Sequence, residues 1–526
     1  MIPEQIYRQA LRYLEDGHVS DARRLAAKLA ARHPKHDGVL DLRARIAASR
    51  GDYAEAGKLW QSLLLRSPGD IGILSNIGAA MQRENRLREA ETYFVRALSL
   101  APEEAGIYYN LGVICQHAGR DAEAESRFRQ ALALAPGLIS ALNNLGALHE
   151  RRGDVEGAEA FYRQAVILAP DVLQSEHNLA LILEKRGQLG EAEALYRKVL
   201  ARQPDFLPSQ LNLGMLLLLQ GRFAEGWPLY EARLIDQQVS SARNKNARRW
   251  SGVAFAQQHL VISCEQGAGD SLMFVRFLSR VVSLGGSLSL VCPPPLMQLF
   301  GELPGVRVVA EDEPIAQHVD YSLSLMSLAN VFKVDVDAIP ATCPYLHVPS
   351  KSRRKAQPII EALERDKRPK IGIAWAGNPA QENDRYRSMP FERIGPLLAN
   401  DEVCWVILQR DSRPEGFDLL ARNAGWLDCF SAEFLNVNAD YGDTAAVIQA
   451  LDLVITVDTS IAHLAGALGK NTWTMLWSVP DWRWLLGRDD SPWYPSMRLY
   501  RQTCLDDWNR VVSTISDDLR AWSLAR

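Results

Sequence analysis

Residues 105–138 read AGIYYNLGVICQHAGRDAEAESRFRQALALAPGL, and this pattern repeats along the first half of the chain. Proline returns every 34 residues, together with an in-phase glycine and an in-phase alanine. The proline row is Pro34, Pro68, Pro102, Pro136, Pro170 and Pro204. A period of this length, with glycine at a turn and proline at the end of each unit, predicts paired antiparallel helices that stack on one another.

The repeat units are 3–36, 37–70, 71–104, 105–138, 139–172, 173–206 and 207–240. In each unit we expect a first helix, a glycine turn and a second helix. The second helix ends before proline, because proline lacks an N–H and clashes with the preceding turn. Asn85 replaces the turn glycine once. Small residues on the first helices predict close approach of neighbouring first helices, and they are Gly78, Gly112, Gly146, Ala180 and Gly214.

This pattern is similar to that of tetratricopeptide repeats, whose first helices line a concave groove. An unbroken row of asparagines lies on the expected first helices: Asn76, Asn110, Asn144, Asn178 and Asn212. A carboxamide both donates and accepts hydrogen bonds, so this row predicts binding to the backbone of an extended polypeptide. The alternative is that asparagine is common at this position for local reasons.

The composition excludes several classes of protein. A chain of 526 residues is too long for one core, so several domains are expected. The net charge of -4 argues against a general nucleic-acid binder. Residues 1–15 read as a repeat helix rather than a signal peptide, and the longest apolar run, 213–219, is too short to span a membrane. The seven scattered cysteines favour reduced thiols, and together these features predict a cytoplasmic protein.

Residues 241–257 break the repeat that occupies 1–240, and they predict a linker. Four basic residues precede Trp250, and they are Arg243, Lys245, Arg248 and Arg249. We expect a solvated connector whose tryptophan packs on the next domain. A surface that faces an acidic ligand is the alternative.

From Leu260 onward, short apolar runs alternate with amphipathic stretches, which predicts parallel strands joined by crossover helices. A first lobe, 258–350, has expected strands at 260–264, 287–292, 306–310, 319–323 and 345–348. Residues 351–369 predict a connector. A second lobe, 370–526, has expected strands at 370–376, 403–409, 427–430, 453–457, 471–476 and 498–500, with a final helix at 507–522. Two such lobes form a cleft at the carboxyl ends of their strands.

The first loop of interest, 265–271, reads EQGAGDS and follows the first expected strand. Gly267 and Gly269 allow close approach of a ligand to the backbone at a helix N-terminus. Asp270 either projects a carboxylate into the cleft as a catalytic base or caps the following helix.

The second loop follows the first strand of the second lobe. Guanidinium groups suit phosphate oxygens, so Arg385 and Arg387 are expected to hold a diphosphate, with Asn378 in the preceding turn. The alternative is a surface loop in which Arg385 pairs with Asp384.

The third loop lies in 453–469, LVITVDTSIAHLAGALG, where a strand ends at Asp458. The following helix begins with Thr459 and Ser460, whose hydroxyls and backbone N–H groups predict a phosphate cradle. His463 lies one turn further on, and it either contacts a phosphate or packs.

Three strings together, VDTSIAHLAGALG, GAGD and WAGNP, resemble the glycosyltransferase domain of the heptosyltransferase-like family 9 group. With the repeats and the tail 480–495, the chain resembles bacterial tetratricopeptide glycosyltransferases, including flagellin-modifying ones, and the architecture is similar to that of protein O-GlcNAc transferases. This resemblance implies a GT-B fold, a nucleotide-sugar co-substrate, no metal and no further cofactor.

Residue by residue, the resemblance implies that Asp270 is the catalytic base. The residues that match the phosphate-binding turn are Asp458, Thr459, Ser460 and His463. Arg387 stands where the family has a lysine, which leaves the donor open, and Gln409 falls where the nucleoside base is expected. Four aromatic residues of the tail either wall a sugar pocket or pack in a core, and they are Trp482, Trp484, Trp493 and Tyr494.

The sequence therefore predicts an α-helical tetratricopeptide superhelix followed by an α/β GT-B region with two Rossmann-like lobes. The expected function is inverting, metal-independent transfer of a sugar to Ser or Thr hydroxyls of a protein, with flagellin among the acceptors implied. The alternatives are a lipid or polysaccharide acceptor, with the repeats as a docking arm, and a non-catalytic scaffold. The sugar, the nucleotide and the oligomeric state stay open, a homo-oligomer included. Asp335 and Asp337 read as a surface loop rather than a metal site.

Overall fold

The computed structural model describes residues 3–236, 247–315, 318–340, 342–381, 383–410, 413–431, 434–435 and 439–525. The chain divides into two compact units, Met1–Ile182 and Leu183–Arg526. The boundary falls inside the helix Leu173–Lys185, so the last repeats belong to the second unit. In the described part of the chain, no helix combines the length and the apolarity that crossing a bilayer demands.

Every repeat unit contains the expected helix pair. The first helices are α1 Glu4–Glu15, α3 Asp37–Ser49, α5 Ile71–Arg83, α7 Ala105–His117, α9 Ile139–Arg152, α11 Leu173–Lys185 and α13 Leu207–Leu219. The second helices are α2 Val19–Arg32, α4 Tyr53–Leu64, α6 Leu87–Leu100, α8 Asp121–Leu134, α10 Val155–Leu168, α12 Leu189–Arg202 and α14 Phe223–Tyr230. The prolines lie just beyond the second helices, as predicted: α8 ends at Leu134, and Pro136 follows.

The turn between paired helices requires a backbone conformation with positive φ. Gly119 has a φ of 73°, and Asn85 has a φ of 60° at the equivalent position of another unit. Asparagine tolerates this region better than most residues with a Cβ, which explains why it can replace the glycine.

The glycines on the first helices serve a different purpose from the one predicted. A Cβ on Gly112 would lie 2.6 Å from Cε1 of Phe128, and a Cβ on Gly146 would lie 2.4 Å from Cε1 of Tyr162. In both cases the ring belongs to the second helix of the same unit. Gly112 and Gly146 therefore make room for the in-phase aromatic ring, rather than for a neighbouring first helix.

The rest of the described chain is an α/β region with two parallel sheets. Its strands are β1 Arg248–Arg249, β2 His259–Ser263, β3 Ser287–Cys292, β4 Val306–Ala310, β5 Tyr321–Ser324, β6 Lys370–Ala374, β7 Cys404–Ile407, β8 Leu427–Asp428, β9 Leu453–Val457, β10 Thr472–Leu476 and β11 Met497–Arg501. Its helices are α15 Arg233–Asp236, α16 Ala268–Phe274, α17 Leu278–Val282, α18 Pro294–Phe300, α19 Ser327–Val331, α20 Ser350–Lys355, α21 Gln357–Arg365, α22 Asp384–Arg387, α23 Phe391–Leu398, α24 Phe417–Asn423, α25 Tyr441–Ala450, α26 Ser460–Ala467 and α27 Trp508–Leu524. Short 3-10 helices occupy Val275–Phe277, Val336–Ala338 and Trp482–Trp484.

The first sheet has the strand order β1-β5-β2-β3-β4, and the second has the order β11-β10-β9-β6-β7-β8. All of these neighbouring strands pair in parallel. Strand β9 is buried along its whole length, as expected for a parallel sheet with both faces covered. The loops of interest follow the carboxyl ends of β2, β6 and β9.

Two sequence predictions for this region need correction. The segment 345–348 forms no strand, because the N–H groups of Tyr345 and Leu346 both donate to the carbonyl of Ala467 at the end of α26. An edge strand comes instead from Arg248–Arg249, which the sequence assigned to the linker. The predicted connector 351–369 contains most of α20 and all of α21.

The residue Trp250 packs as predicted. Its side chain is buried, with ring centroids 5.8 Å from Phe255 and 5.9 Å from Phe332. The predicted basic residues Arg243 and Lys245 lie outside the described residues.

The last repeat packs directly onto the α/β region within the second unit. Trp227 on α14 is 2% exposed, and its ring lies 5.2 Å from Trp482 and 6.3 Å from Phe274. Its indole N–H donates to the carbonyl of Val334 at 2.8 Å. These contacts join the last repeat to the α/β region in one compact unit.

Candidate active site

A cavity of about 1130 Å³ lies in the α/β region, between loops that follow strands of both sheets. The sequence-predicted residues that line it are Gly267, Gly269, Asp270, Asn378, Arg387, Gln409, Asp458, Thr459, Ser460 and His463. Arg385 is not among its lining residues; that side chain is exposed, with its guanidinium 5.2 Å from the ring centroid of Tyr386. We call this cavity the cleft.

Asp270 lies at the third position of α16, and its carboxylate caps the N-terminus of that helix. Its Oδ2 accepts a hydrogen bond from the N–H of Gly267 at 2.9 Å, and Gly267 itself is the N-cap. Its Oδ1 forms an ion pair with Arg483. The two sequence alternatives are therefore not exclusive, because the carboxylate both supports the helix and lines the cleft.

Arg483 is a cleft residue that the sequence analysis missed. It lies in the 3-10 helix Trp482–Trp484, and its side chain is 9% exposed. Besides Asp270, it pairs with Asp481, whose Oδ1 lies 2.5 Å from Nη1. A single arginine between two buried tryptophans was the signal available in the sequence, because a buried charge requires partners.

The turn after β9 presents hydroxyls at the start of α26. Thr459 is the N-cap, and its Oγ1 accepts from the N–H of Ile461 at 3.3 Å. Ser460 Oγ accepts from the hydroxyl of Tyr441 at 2.9 Å. The positive end of the helix dipole and the two hydroxyls favour an anion at this turn.

Asp458 is buried at the end of β9. Burial, followed by the nearby carboxylate of Asp481, raises the pKa of Asp458 to about 6.

His463 is buried and packs, but it also lines the cleft. Its Nδ1 lies 2.9 Å from the hydroxyl oxygen of Tyr494, and its ring stacks on Trp484 at a centroid distance of 5.3 Å. Burial, followed by the charge of Arg483, lowers the pKa of His463 well below its usual value. The imidazole is therefore neutral, and it can offer a hydrogen bond but no positive charge.

Gln409 lines the cleft with its carboxamide already engaged. Its Oε1 accepts from the N–H groups of Trp375 at 2.9 Å and Ala376 at 3.0 Å, and its Nε2 donates to the carbonyl of Ala376 at 3.1 Å. These bonds fix the loop after β6. A nucleoside base would have to compete with the backbone for this side chain.

Arg387, rather than Arg385, pairs with Asp384. The distance from Arg387 Nε to Asp384 Oδ1 is 3.0 Å. The absence of a side chain at Gly377 makes room for this guanidinium, because a Cβ there would lie 2.6 Å from Arg387 Nη2. Asn378 Oδ1 accepts from the N–H of Ala380 at 3.0 Å, which stabilises the turn.

Further cleft residues that the sequence analysis missed as candidates come mainly from the loops after β7 and β8 and from α25. They include Arg410, Phe430, Tyr441 and Asp481. The guanidinium of Arg410 lies 4.7 Å from the ring centroid of Phe430 and donates to the carbonyl of Ala439 at 2.7 Å.

The aromatic residues of the tail do not wall the cleft. Those considered for a sugar pocket are at most 2% exposed and absent from the cleft lining, and they are Trp482, Trp484, Trp493 and Tyr494. Core packing is therefore the correct alternative for them.

Among the described residues, one group of side chains has the spacing to hold a metal ion, and it consists of Glu91, Cys115 and Glu123. Arg120 pairs with both carboxylates of this group, at 2.9 Å each. An arginine already neutralises these carboxylates, so the residues do not fit a metal site.

The helix pairs and the comparisons with known families show that the N-terminal part of the chain is an array of tetratricopeptide repeats. Two tetratricopeptide-repeat families match, one at 7–71 and the other at 69–137 and 103–171. The middle TPR-like domain of cilia and flagella-associated protein 70 matches residues 142–267.

Among curated proteins, the chain is similar to protein FlbA of Caulobacter vibrioides, with 28% identity over 293 residues. The match covers 52% of this chain and 48% of FlbA, so the chain spans about half the length of this relative. Among solved structures, PilW, described as a type IV pilus biogenesis factor, is 20% identical with a TM-score of 0.36, covering 40% of this chain and 97% of PilW. YrrB, described as having an unusual peptide-binding site, is 19% identical with a TM-score of 0.29, covering 35% of this chain and 93% of YrrB.

Proposed function

We propose that this protein is an inverting glycosyltransferase of GT-B type that moves a sugar from a nucleotide sugar to a hydroxyl of a protein. One observation carries the proposal. A single cleft combines a carboxylate from the first sheet's loop, Asp270, with an arginine and a hydroxyl-bearing helix N-terminus from the second sheet's loops.

The chemistry follows from these groups. Asp270 takes the proton of the acceptor hydroxyl as that oxygen attacks the anomeric carbon from the face opposite the leaving group. The bond between the anomeric carbon and the phosphate oxygen breaks, and the nucleotide phosphate leaves with the electron pair. Arg387, Thr459 and Ser460 meet the developing negative charge, with the N-terminus of α26. These groups supply the charge stabilisation that a metal ion supplies elsewhere.

The row of asparagines supports a polypeptide acceptor. All five carboxamides are half-buried on first helices. Asn178 is engaged, accepting from Gln174 Nε2 at 2.7 Å. The others, Asn76, Asn110, Asn144 and Asn212, have no side-chain hydrogen bond to any residue that the structure describes. Hydrogen bonds to the described residues therefore do not explain why asparagine stands at these four positions. This favours the interpretation that the carboxamides bind a ligand. Flagellin remains the acceptor that the sequence resemblance implies.

The donor site is tested with a thermal-shift panel of UDP, CMP, GDP and ADP. We expect one nucleotide to raise the melting temperature, because a ligand at 100 times its dissociation constant adds about 2.7 kcal/mol to the free energy of unfolding. Arg387→Ala should abolish that shift. Arg385→Ala is the matched comparison, since Arg385 is exposed and does not line the cleft, and its effect should be smaller. No shift with any nucleotide would favour the non-catalytic scaffold.

The acceptor is tested on two repeat units. We expect Asn110→Ala combined with Asn144→Ala to raise the KM for a protein acceptor about tenfold and to leave nucleotide binding unchanged, since roughly 0.7 kcal/mol is lost per hydrogen-bonding side chain. The matched control combines Gln130→Ala with Gln164→Ala, which removes two exposed carboxamides from second helices of the same units. Transfer that is unaffected by the asparagine changes would favour the lipid or polysaccharide acceptor, with the repeats as a docking arm.

A further inference from the structure

Arg483 is held in the wall of the cleft by two carboxylates. Nη2 contacts Asp270, Nη1 contacts Asp481, and the guanidinium carbon lies 4.3 Å from the ring centroid of Trp482. Its Nε is buried and has no hydrogen-bond partner among the described residues. Two of the five N–H groups of the guanidinium therefore have carboxylate acceptors, and the Nε–H is among those that do not.

The other two arginines of the cleft have different partners. Arg387 pairs with Asp384, which does not line the cleft, and Arg410 donates to a backbone carbonyl. Arg483 alone of these three pairs with the candidate base, Asp270. A change in the bonding of Arg483 would thus act directly on that carboxylate.

The charges of the cleft balance without a ligand. Its described charged residues are Asp270, Asp458, Asp481, Arg387, Arg410 and Arg483. A phosphate group brings further negative charge, and it attracts the same guanidinium groups that the carboxylates hold. A carboxylate oxygen that is hydrogen-bonded to arginine is occupied, so it is not available to an acceptor hydroxyl.

We propose that Arg483 is a positioning residue shared between Asp270 and the phosphate of the donor, so that donor binding releases Asp270 to act as a base. The inference rests on the proposed function and adds an order of events to it. The donor engages Arg483 first, and the acceptor hydroxyl loses its proton to Asp270 afterwards.

A double-mutant cycle on nucleotide affinity tests this sharing. The probes are UDP, CMP, GDP and ADP, titrated by calorimetry into the full-length protein, Asp270→Asn, Arg483→Met and the double variant. We expect Asp270→Asn to tighten binding of the responding nucleotide about tenfold, because Arg483 is then free for the phosphate. In the Arg483→Met background the same change should leave the affinity nearly unaltered.

Simple charge repulsion between Asp270 and the phosphate would tighten binding equally in both backgrounds, and that result would overturn the sharing of Arg483. Unchanged affinity in Asp270→Asn would overturn it as well. If no probe binds the wild-type protein, the proposed donor site and the inference both fail. If a probe binds but the cycle gives either of the two results above, only the inference fails, so the two failures are distinguishable. Arg483→Gln replaces the methionine variant in the cycle if circular dichroism shows that the latter does not fold.

Discussion

Asp270→Asn is expected to abolish sugar transfer while the protein still binds its nucleotide. The amide oxygen of asparagine can still accept the hydrogen bond that Gly267 donates to Oδ2, so the capping of α16 survives. The amide cannot take a proton from the acceptor hydroxyl. General base catalysis contributes about 10²- to 10⁴-fold, so the rate should fall by at least about a hundredfold. The measurement is transfer of labelled sugar to the acceptor, with nucleotide affinity determined on the same sample.

Asp335→Asn is the matched control for this loss. Asp335 also caps a short helix, since its side chain accepts from the N–H of Val336 at 2.8 Å, and it does not line the cleft. We expect the control to keep the wild-type rate. Transfer retained by Asp270→Asn would remove Asp270 from the role of base. Asp458, the cleft carboxyl group whose pKa is raised to about 6, would then be the next candidate for the base.

Trp227→Ala is expected to lower the free energy of unfolding of the second unit by about 3–5 kcal/mol, as large-to-small changes of buried aromatics do. The indole is 2% exposed, so its removal leaves a cavity between α14 and the α/β region. Its hydrogen bond to the carbonyl of Val334 is lost as well. The carbonyl would then lie unpaired in an apolar surrounding, which adds to the cost.

Urea unfolding followed by near-ultraviolet circular dichroism measures this change. Ile235→Ala is the control, because Ile235 lies close in sequence and is 64% exposed, and we expect a change within about 0.5 kcal/mol. An equally small effect for Trp227→Ala would mean that the last repeat is not an integral part of the second unit.

The repeat architecture could be predicted because its signals are local and periodic. Proline, the positive-φ turn residue and the in-phase aromatic each act within one helix pair, so the sequence alone places every repeat helix. The prediction that Gly112 allows close approach of a neighbouring first helix was wrong. Spacing shows that a small residue is needed on a helix, but the ring that occupies the space is known only when Phe128 is seen against it.

The strands were predictable to within a few residues where an apolar run was bounded by turns. The segment 345–348 has the composition of a strand, but its N–H groups bond to the end of α26. Hydrophobicity cannot distinguish a strand from an apolar segment without strand pairing, because both place apolar side chains in a core. The short strand Arg248–Arg249 carries no apolar pattern, and its pairing with β5 decides its conformation.

By itself the sequence determined the stacked helix pairs, the change to parallel strands and the loops that line the cleft, because a loop after a parallel strand lies at the carboxyl edge of its sheet. Only the tertiary structure decided which side chains meet there. Asp270 and Arg483 are 213 residues apart in the chain, and Gln409 bonds to a backbone 33 or 34 residues away. Such contacts depend on how the elements pack, since no local periodicity connects residues that distant.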